Sequence, residues 1–183
     1  MNEFLDTISW IIVGLQFSVL GCFLYLFKER RRELIFGGSK SLKNKSDHEL
    51  HSCFLTTITS VFCLLLFEHL LNSLLDLQID KMVRRQIFYF ISACGNASFI
   101  IALTLLHAIR GCTFSPVARY SCYLFLIGML LKTAQLLMAG YLDITSFKHY
   151  YSILVLITIV LQFFLIAKYP FDVIMKKKYA KEC

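Results

Sequence analysis

The chain contains little proline, glycine or charge. Two prolines and eight glycines occur among 183 residues, and charged residues make up 17% of the chain. This composition excludes collagen-like and linker-rich chains, and it falls below the quarter of charged residues that is typical of soluble domains. Hydrophobic residues reach 57%, with seventeen Phe and nine Tyr. Since one domain of this size could not hide so much apolar surface from water, the composition predicts a membrane protein.

The motifs of the common enzyme classes are also missing. The sequence has no Walker loop, glycine-rich dinucleotide turn, nucleophile-elbow serine, CxxC or HExxH pattern. His48 and His51 have a metal-ligand spacing, but no second ligand pair lies nearby in sequence. His69 and His107 are expected in opposite halves of the membrane, so they could not share a haem iron. We therefore expect no catalytic residue, metal or cofactor, while an intramembrane enzyme that uses Glu68 and His69 stays an alternative.

Five apolar runs are long enough to cross a bilayer, because a spanning helix needs about 20 residues at 1.5 Å each. They predict an all-α bundle of about five transmembrane helices that forms a single membrane domain over residues 1–183. The predicted helices cover residues 8–27, 52–75, 87–109, 119–142 and 152–169. A basic loop, residues 28–51, follows the first helix. A basic tail, residues 170–183, begins at Pro170, which is expected to end or kink the last helix.

The positions of Lys and Arg predict an external N-terminus and a cytoplasmic C-terminus. Fourteen of the nineteen cations fall in segments on one side of the predicted bundle and four on the other, which leaves Lys132 within the membrane. Since short cationic loops stay cytoplasmic, this distribution also places the chain in the cytoplasmic membrane, that is, the inner or plasma membrane. Six cations at the inner face are expected to contact anionic lipid headgroups rather than nucleic acid. They are Arg30, Arg31, Arg32, Lys176, Lys177 and Lys178.

The seven cysteines are expected to be free thiols. None of them falls in a predicted outer loop, where an oxidising compartment would favour disulfide formation.

Each predicted helix carries one polar residue at a similar depth, roughly 10 to 15 Å from its outer end. These residues are Gln16, Glu68, Asn96, Lys132 and Gln162, with His69, Asn72 and Gln135 flanking the same layer. A polar side chain within hydrocarbon is costly, so each of them is a functional candidate. At 100° per residue they fall on polar stripes with neighbours such as Ser92, Gly128 and Thr158. Five such stripes predict convergence on one interior.

Glu68 and Lys132 are expected to lie within reach of each other. A lysine at mid-membrane costs about 3 kcal/mol unless something compensates its charge. Their pairing would either fix how two helices dock or form a charged gate, substrate anchor or proton-linked switch. The remaining alternative is a solvated Lys132 without a partner. The amides Gln16, Asn96, Gln135 and Gln162 would either bond neighbouring helices to one another or contact a substrate.

Two functions are compatible with these sequence features. The near absence of extramembrane chain favours a non-enzymatic protein that binds a partner within the membrane, either another membrane protein or a second copy. It would act as a regulatory, accessory or protective, immunity-type subunit. The alternative is a small homo-oligomeric channel or transporter whose polar layer lines a path. Phe99, Ile100 and Leu103 predict a dry inner half of the bundle, which disfavours a conduit through one chain.

The first helix carries a stripe of small residues. Gly14, Ser18 and Cys22 recur at four-residue spacing. Such a stripe allows close helix approach, either within the chain or as a self-association face.

Overall fold

The computed structural model describes residues 2–37, 42, 44–75, 77–144 and 146–182, and it is helical throughout, without strands, in this part of the chain. The helices are α1 (Asn2–Leu26), α2 (Arg31–Phe36), α3 (Lys45–Leu75), α4 (Lys81–Arg110), α5 (Pro116–Gln135) and α6 (Lys148–Glu182). A single 3-10 turn, Lys28–Arg30, precedes α2, and α5 continues into a π-helical segment, Leu136–Tyr141.

Four of these helices are long and apolar enough to cross a membrane: α3, α4, α5 with its π-helical segment, and α6 as far as Lys176. A fifth candidate is a bent pair, Trp10–Leu26 and Lys28–Phe36, whose axes meet at 86°. Large apolar side chains are exposed on the outside of the bundle, for example Phe62 and Ile109. Water does not favour so extended an apolar surface, whereas lipid does. The prediction of an all-helical bundle is therefore confirmed, and four or five of its helices are long and apolar enough to span a membrane.

Local side-chain chemistry explains where the helices begin and end. Ser115 caps α5 by accepting the backbone N–H of Ala118, and Pro116 occupies the first helical position, where its missing N–H costs nothing. Asp80 caps α4 in the same way by accepting the N–H of Met82. Gly111 ends α4 in the left-handed conformation, with φ of 67°, which a glycine adopts without a Cβ clash.

Several helices extend beyond their predicted bounds, with α1 beginning at Asn2 and α4 at Lys81, and two segments predicted as tail and loop are partly helical. The expected tail is helical over its described part, because α6 runs through Pro170 to Glu182. A proline costs one backbone hydrogen bond and a local clash, which a helix of 35 residues absorbs. The expected loop, residues 28–51, is helical at both ends, since it holds α2 and the first two turns of α3. Residues 38–41 and 43 of that loop, the Lys177 side chain and Cys183 lie outside the described part.

The centre of the bundle is α3, which contacts α1, α4, α5 and α6. Buried side chains pack the interior of the half of the bundle next to α2, and an open apolar groove of about 770 Å³ lies there between α2, α3 and α4. Phe23, Phe54 and Ile166 form one cluster there, and Phe99 and Leu103, both fully buried, belong to a second. Phe99 and Leu103, which the sequence predicts to keep the inner half dry, are indeed buried there.

Candidate functional site

A cavity of about 260 Å³ lies in the other half of the bundle, where α3 and α5 end and α4 and α6 begin. Five helices contribute to its wall, and each supplies one residue of the predicted polar layer. These five residues are Gln16, Glu68, Asn96, Lys132 and Gln162. The structure thus brings together, around one cavity, the residues that the sequence places at one depth.

Lys132 is held on the wall of the cavity by α4. Its ammonium donates to the side-chain Oδ1 of Asn96 at 2.8 Å and to the backbone carbonyl of Ser92 at 3.2 Å. A lysine ammonium has three N–H donors, so two have acceptors and one remains for another group. Hydrogen bonds to neutral oxygens orient this ammonium and replace part of its hydration, but they do not neutralise its charge.

The expected ion pair between Glu68 and Lys132 is not formed. No nitrogen of Lys132 lies within 4.0 Å of a Glu68 carboxylate oxygen. Among the described residues, no hydrogen bond joins the Glu68 carboxylate to another group either, and this side chain is half-buried. The physical reason is that Asn96 and Ser92 already hold the ammonium on the α4 side. The two opposite charges therefore line one cavity without meeting.

Asn96 connects α4 to α5 as well as to Lys132. Its side-chain Nδ2 donates to the backbone carbonyl of Phe125 at 3.1 Å, while its Oδ1 accepts from Lys132. The amide fits because residue 128 is glycine: a Cβ at Gly128 would lie 2.4 Å from Asn96 Nδ2. The glycine at position 128 of α5 therefore leaves the space in which the Asn96 amide connects α4 to α5.

The three glutamines have different surroundings. Gln16 accepts a hydrogen bond from the Ser60 hydroxyl at 3.3 Å, which joins α1 to α3. Gln162 lines the cavity, is only 4% exposed, and both of its amide atoms lack a partner among the described residues. Gln135 is fully buried and also unpartnered there, but it is not part of the cavity wall.

Two flanking candidates lie away from the cavity. His69 and Asn72 are exposed on the outside of α3. Their placement does not support the alternative in which His69 works with Glu68 at an intramembrane active site. The face of α3 that lines the cavity instead includes Ser60, Cys63 and Phe67. The sequence did not predict that Cys63 and Phe67 line the cavity, because the prediction relied on polar side chains and these two residues are not polar.

A second polar cluster lies in the packed half of the bundle. The Ser52 hydroxyl is 2.8 Å from Nε2 of His107, and it accepts the backbone N–H of Ser115 at 2.9 Å. The other ring nitrogen of His107 lies 2.8 Å from the Leu103 carbonyl, and Phe114 stacks on the ring with centroids 4.1 Å apart. These buried groups satisfy one another, so the cluster fastens the start of α5 to α3 and α4.

Two cations near α2, Arg110 and Arg30, form contacts within the protein. Arg110, which is buried, donates to the carbonyls of Glu33, Leu34 and Gly37 and so holds α2 on the bundle. Arg30 forms ion pairs with Glu33 at 2.9 Å and Asp47 at 2.8 Å.

The remaining predicted lipid-contacting cations differ in how they are placed. Arg31 donates to the Leu24 carbonyl at 2.6 Å. Arg32, Lys176 and Lys178 are exposed. The proposed headgroup contacts therefore rest mainly on Arg32 and Lys176, because Arg30 is already paired with carboxylates.

The cysteines within the described chain are free thiols, as the sequence predicts. Cys112 lies in the connection between α4 and α5, and burial raises the pKa of its thiol. Within the described chain, no group of three or more His, Cys, Asp and Glu residues is arranged to hold a metal ion.

No family model, no curated protein and no solved structure matches the chain. The cavity and the charges on its wall are therefore the basis on which a function can be argued.

Proposed function

We propose that this chain is a non-enzymatic membrane protein that binds a small polar molecule in the cavity, as the substrate site of a transporter or carrier. The observation that carries the proposal is Gln162, a buried amide on the cavity wall that has no partner among the described residues. A buried amide that lacks hydrogen bonds is costly, and such groups are normally paired with protein, water or a ligand. Glu68 and the third N–H of Lys132 add two more groups that a ligand would satisfy.

The packing beyond the cavity favours a carrier over an open channel. Phe99 and Leu103 fill the bundle between the cavity and the end at which α2 lies. A path through the same chain would need these side chains to move, as in alternating access, in which a site near mid-membrane opens to one side at a time. A homo-oligomeric pore between chains would not use the residues on the cavity wall.

The orientation that we propose places the cavity on the external side. Fourteen of the nineteen cations fall, by sequence, in the segments that the prediction places at the α2 end of the bundle, and the positive-inside rule favours a cytoplasmic location for that end. The exposed cations there, among them Arg32 and Lys176, then face anionic headgroups of the inner or plasma membrane. Topology reporters fused near Gly38 and after Cys183 should read as cytoplasmic, and one near Ile144 as external. An external signal near Gly38 would reverse the assignment.

Two native cysteines offer a test of whether water and solutes reach the cavity. Cys63 lies on the cavity wall, while Cys53 lies in the packed half, and both are buried. Chains that keep only one of them, with the other cysteines replaced by serine or alanine, compare a buried thiol on the cavity wall with a buried thiol away from it. We expect a small charged thiol reagent to label the Cys63 chain from the external side and to leave the Cys53 chain unmodified. Equal protection of both thiols would contradict the proposal.

Partner binding in the membrane is the second candidate, and the outward face of α1 favours it. Gly14, Ser18 and Cys22 are exposed, and a Cβ at Gly14 or Gly21 would meet no atom within 4 Å. Within the described part of the chain, no side chain packs against Gly14, so the outer side of this stripe is open there. A second copy of the chain could approach it closely.

The test of this second candidate is disulfide crosslinking in membranes. A chain that keeps only Cys22 should give a covalent dimer under mild oxidation. A chain whose only cysteine replaces Thr133, an exposed residue of α5, should stay monomeric. Equal crosslinking of the two chains would indicate random collision and would remove the support for a specific α1 contact.

A further inference from the structure

Two opposite charges on the wall of one cavity suggest what kind of molecule it takes. The Lys132 ammonium and the Glu68 carboxylate both line the cavity, yet they form no ion pair with each other. A charge in a low-dielectric interior is stabilised by a counter-charge at close range. A ligand that carries one charge of each sign would provide a counter-charge to both side chains at the same time.

The ammonium is held ready for an anionic group. Asn96 and Ser92 each accept one of its N–H donors, and Gly128 leaves the space that Asn96 needs. With two donors fixed, the direction of the third is restricted. This arrangement favours a ligand oxygen over bulk water, because little side-chain freedom is lost when the ligand binds.

Gln162 offers a donor nitrogen and an acceptor oxygen to the same cavity. Its amide is buried and unpartnered within the described chain, and it lines the cavity from α6 together with Lys132 and Glu68. A carboxylate could accept from its N–H, and an ammonium could donate to its oxygen. The amide thus complements either end of a ligand with both groups.

Size and wall chemistry limit the ligand further. At about 260 Å³ the cavity is smaller than the roughly 300–1,000 Å³ of pockets for drug-sized molecules. Phe67, Phe125 and Ile159 supply apolar wall around the polar groups. The space therefore suits a molecule of amino-acid size with an aliphatic or aromatic part.

We propose that the cavity binds a small zwitterion, with its carboxylate at Lys132 and its ammonium at Glu68. This inference rests on the proposed function, since it names the substrate class of the same cavity. A simple cation would leave the ammonium of Lys132 facing a like charge, and a simple anion would do the same to Glu68. A zwitterion presents no net charge to a wall that itself carries one charge of each sign.

The affinity measurements use the unmodified 183-residue chain in nanodiscs and four probes of similar shape. L-leucine has both charges, L-leucinamide lacks the carboxylate, 4-methylpentanoate lacks the ammonium, and 4-methylpentanamide lacks both. Calorimetry measures the affinity of each probe, and protection of the Cys63-only chain from thiol labelling reports whether the probe enters the cavity. We expect L-leucine to bind best, and each missing charge to weaken binding by about tenfold or more, as for other charge-assisted hydrogen bonds.

Variants then assign each charge to its partner. In Lys132→Gln, L-leucine and L-leucinamide should bind with similar affinity, and in Glu68→Gln the same should hold for L-leucine and 4-methylpentanoate. Lys148→Gln changes an exposed lysine of α6 and should leave the order of the four probes unchanged. If a cavity variant does not fold, the four probes on the unmodified protein still decide the question.

The outcomes separate this inference from the proposed function. Binding of 4-methylpentanoate as tight as that of L-leucine would overturn the zwitterion in favour of an anion site. Labelling of Cys63 without protection by millimolar glycine, L-leucine, L-phenylalanine or glycine betaine would also overturn it, while leaving a water-accessible cavity in place. Failure to label Cys63 at all would instead refute the proposed function.

Discussion

Replacing Gly128 by alanine should destabilise the protein by forcing Asn96 away from its partners. The added Cβ would lie 2.4 Å from Asn96 Nδ2, which is closer than two non-bonded atoms can approach. The Asn96 side chain is held in place by two hydrogen bonds, because its Nδ2 donates to the Phe125 carbonyl and its Oδ1 accepts from Lys132. A rotation of the amide that relieves the clash therefore breaks both hydrogen bonds.

The size of the effect follows from these two bonds. A neutral hydrogen bond between membrane helices contributes on the order of 0.6 kcal/mol. A hydrogen bond to a charged group such as the Lys132 ammonium contributes about 1.5 to 3 kcal/mol. Alanine is favoured over glycine within a helix by about 1 kcal/mol, which offsets part of the loss. The free energy of unfolding of Gly128→Ala should therefore fall by about 1 to 2.5 kcal/mol.

The assay is unfolding in detergent, followed by circular dichroism during heating and during titration with a denaturing detergent. A protein of this length should lose roughly 2 to 4 °C in melting temperature per kcal/mol. Gly21→Ala is the matched control, since its Cβ would meet nothing within 4 Å and should leave stability unchanged or slightly higher. In an Asn96→Ala background the clash is gone, so adding Gly128→Ala should cost nothing further. Equal stability of Gly128→Ala and Gly21→Ala would refute the reasoning.

Two further predictions concern the polar groups of the bundle. Lys132→Met should destabilise the protein more than Glu68→Gln, because it removes the donor of two hydrogen bonds whereas Glu68 has no described partner. The melting-temperature shifts of the two single variants should add up in the double variant. Strong coupling between them would instead indicate a direct ion pair. Ser52→Ala should lower the free energy of unfolding by about 1 to 3 kcal/mol, because it leaves His107 Nε2 buried without a partner. The exposed Ser18→Ala serves as its control, and equal melting temperatures would contradict the structural role of the cluster.

The sequence alone was sufficient for the fold class and for the layer of polar residues. The lengths of apolar runs predict spanning helices because a bilayer has one thickness, and Ser115, Pro116 and Gly111 act on the backbone next to them. One polar residue per helix at a common depth predicted that five side chains would line one interior, since exposure of any of them to lipid is costly. Each of these inferences depends on local spacing, which a sequence displays directly.

Only the tertiary structure decided which of these groups touch. Whether Lys132 meets Glu68 or Asn96 depends on differences of a few ångströms in how α3, α4 and α5 are placed, and on Gly128 leaving space for an amide. The same holds for Ser52 and His107, which are far apart in sequence and share no motif. Helical periodicity gives the direction and depth of a side chain to within about a turn, whereas a hydrogen bond requires its atoms within about 3 Å. That difference in length scale is why the cavity's polar residues follow from the sequence but their partners do not.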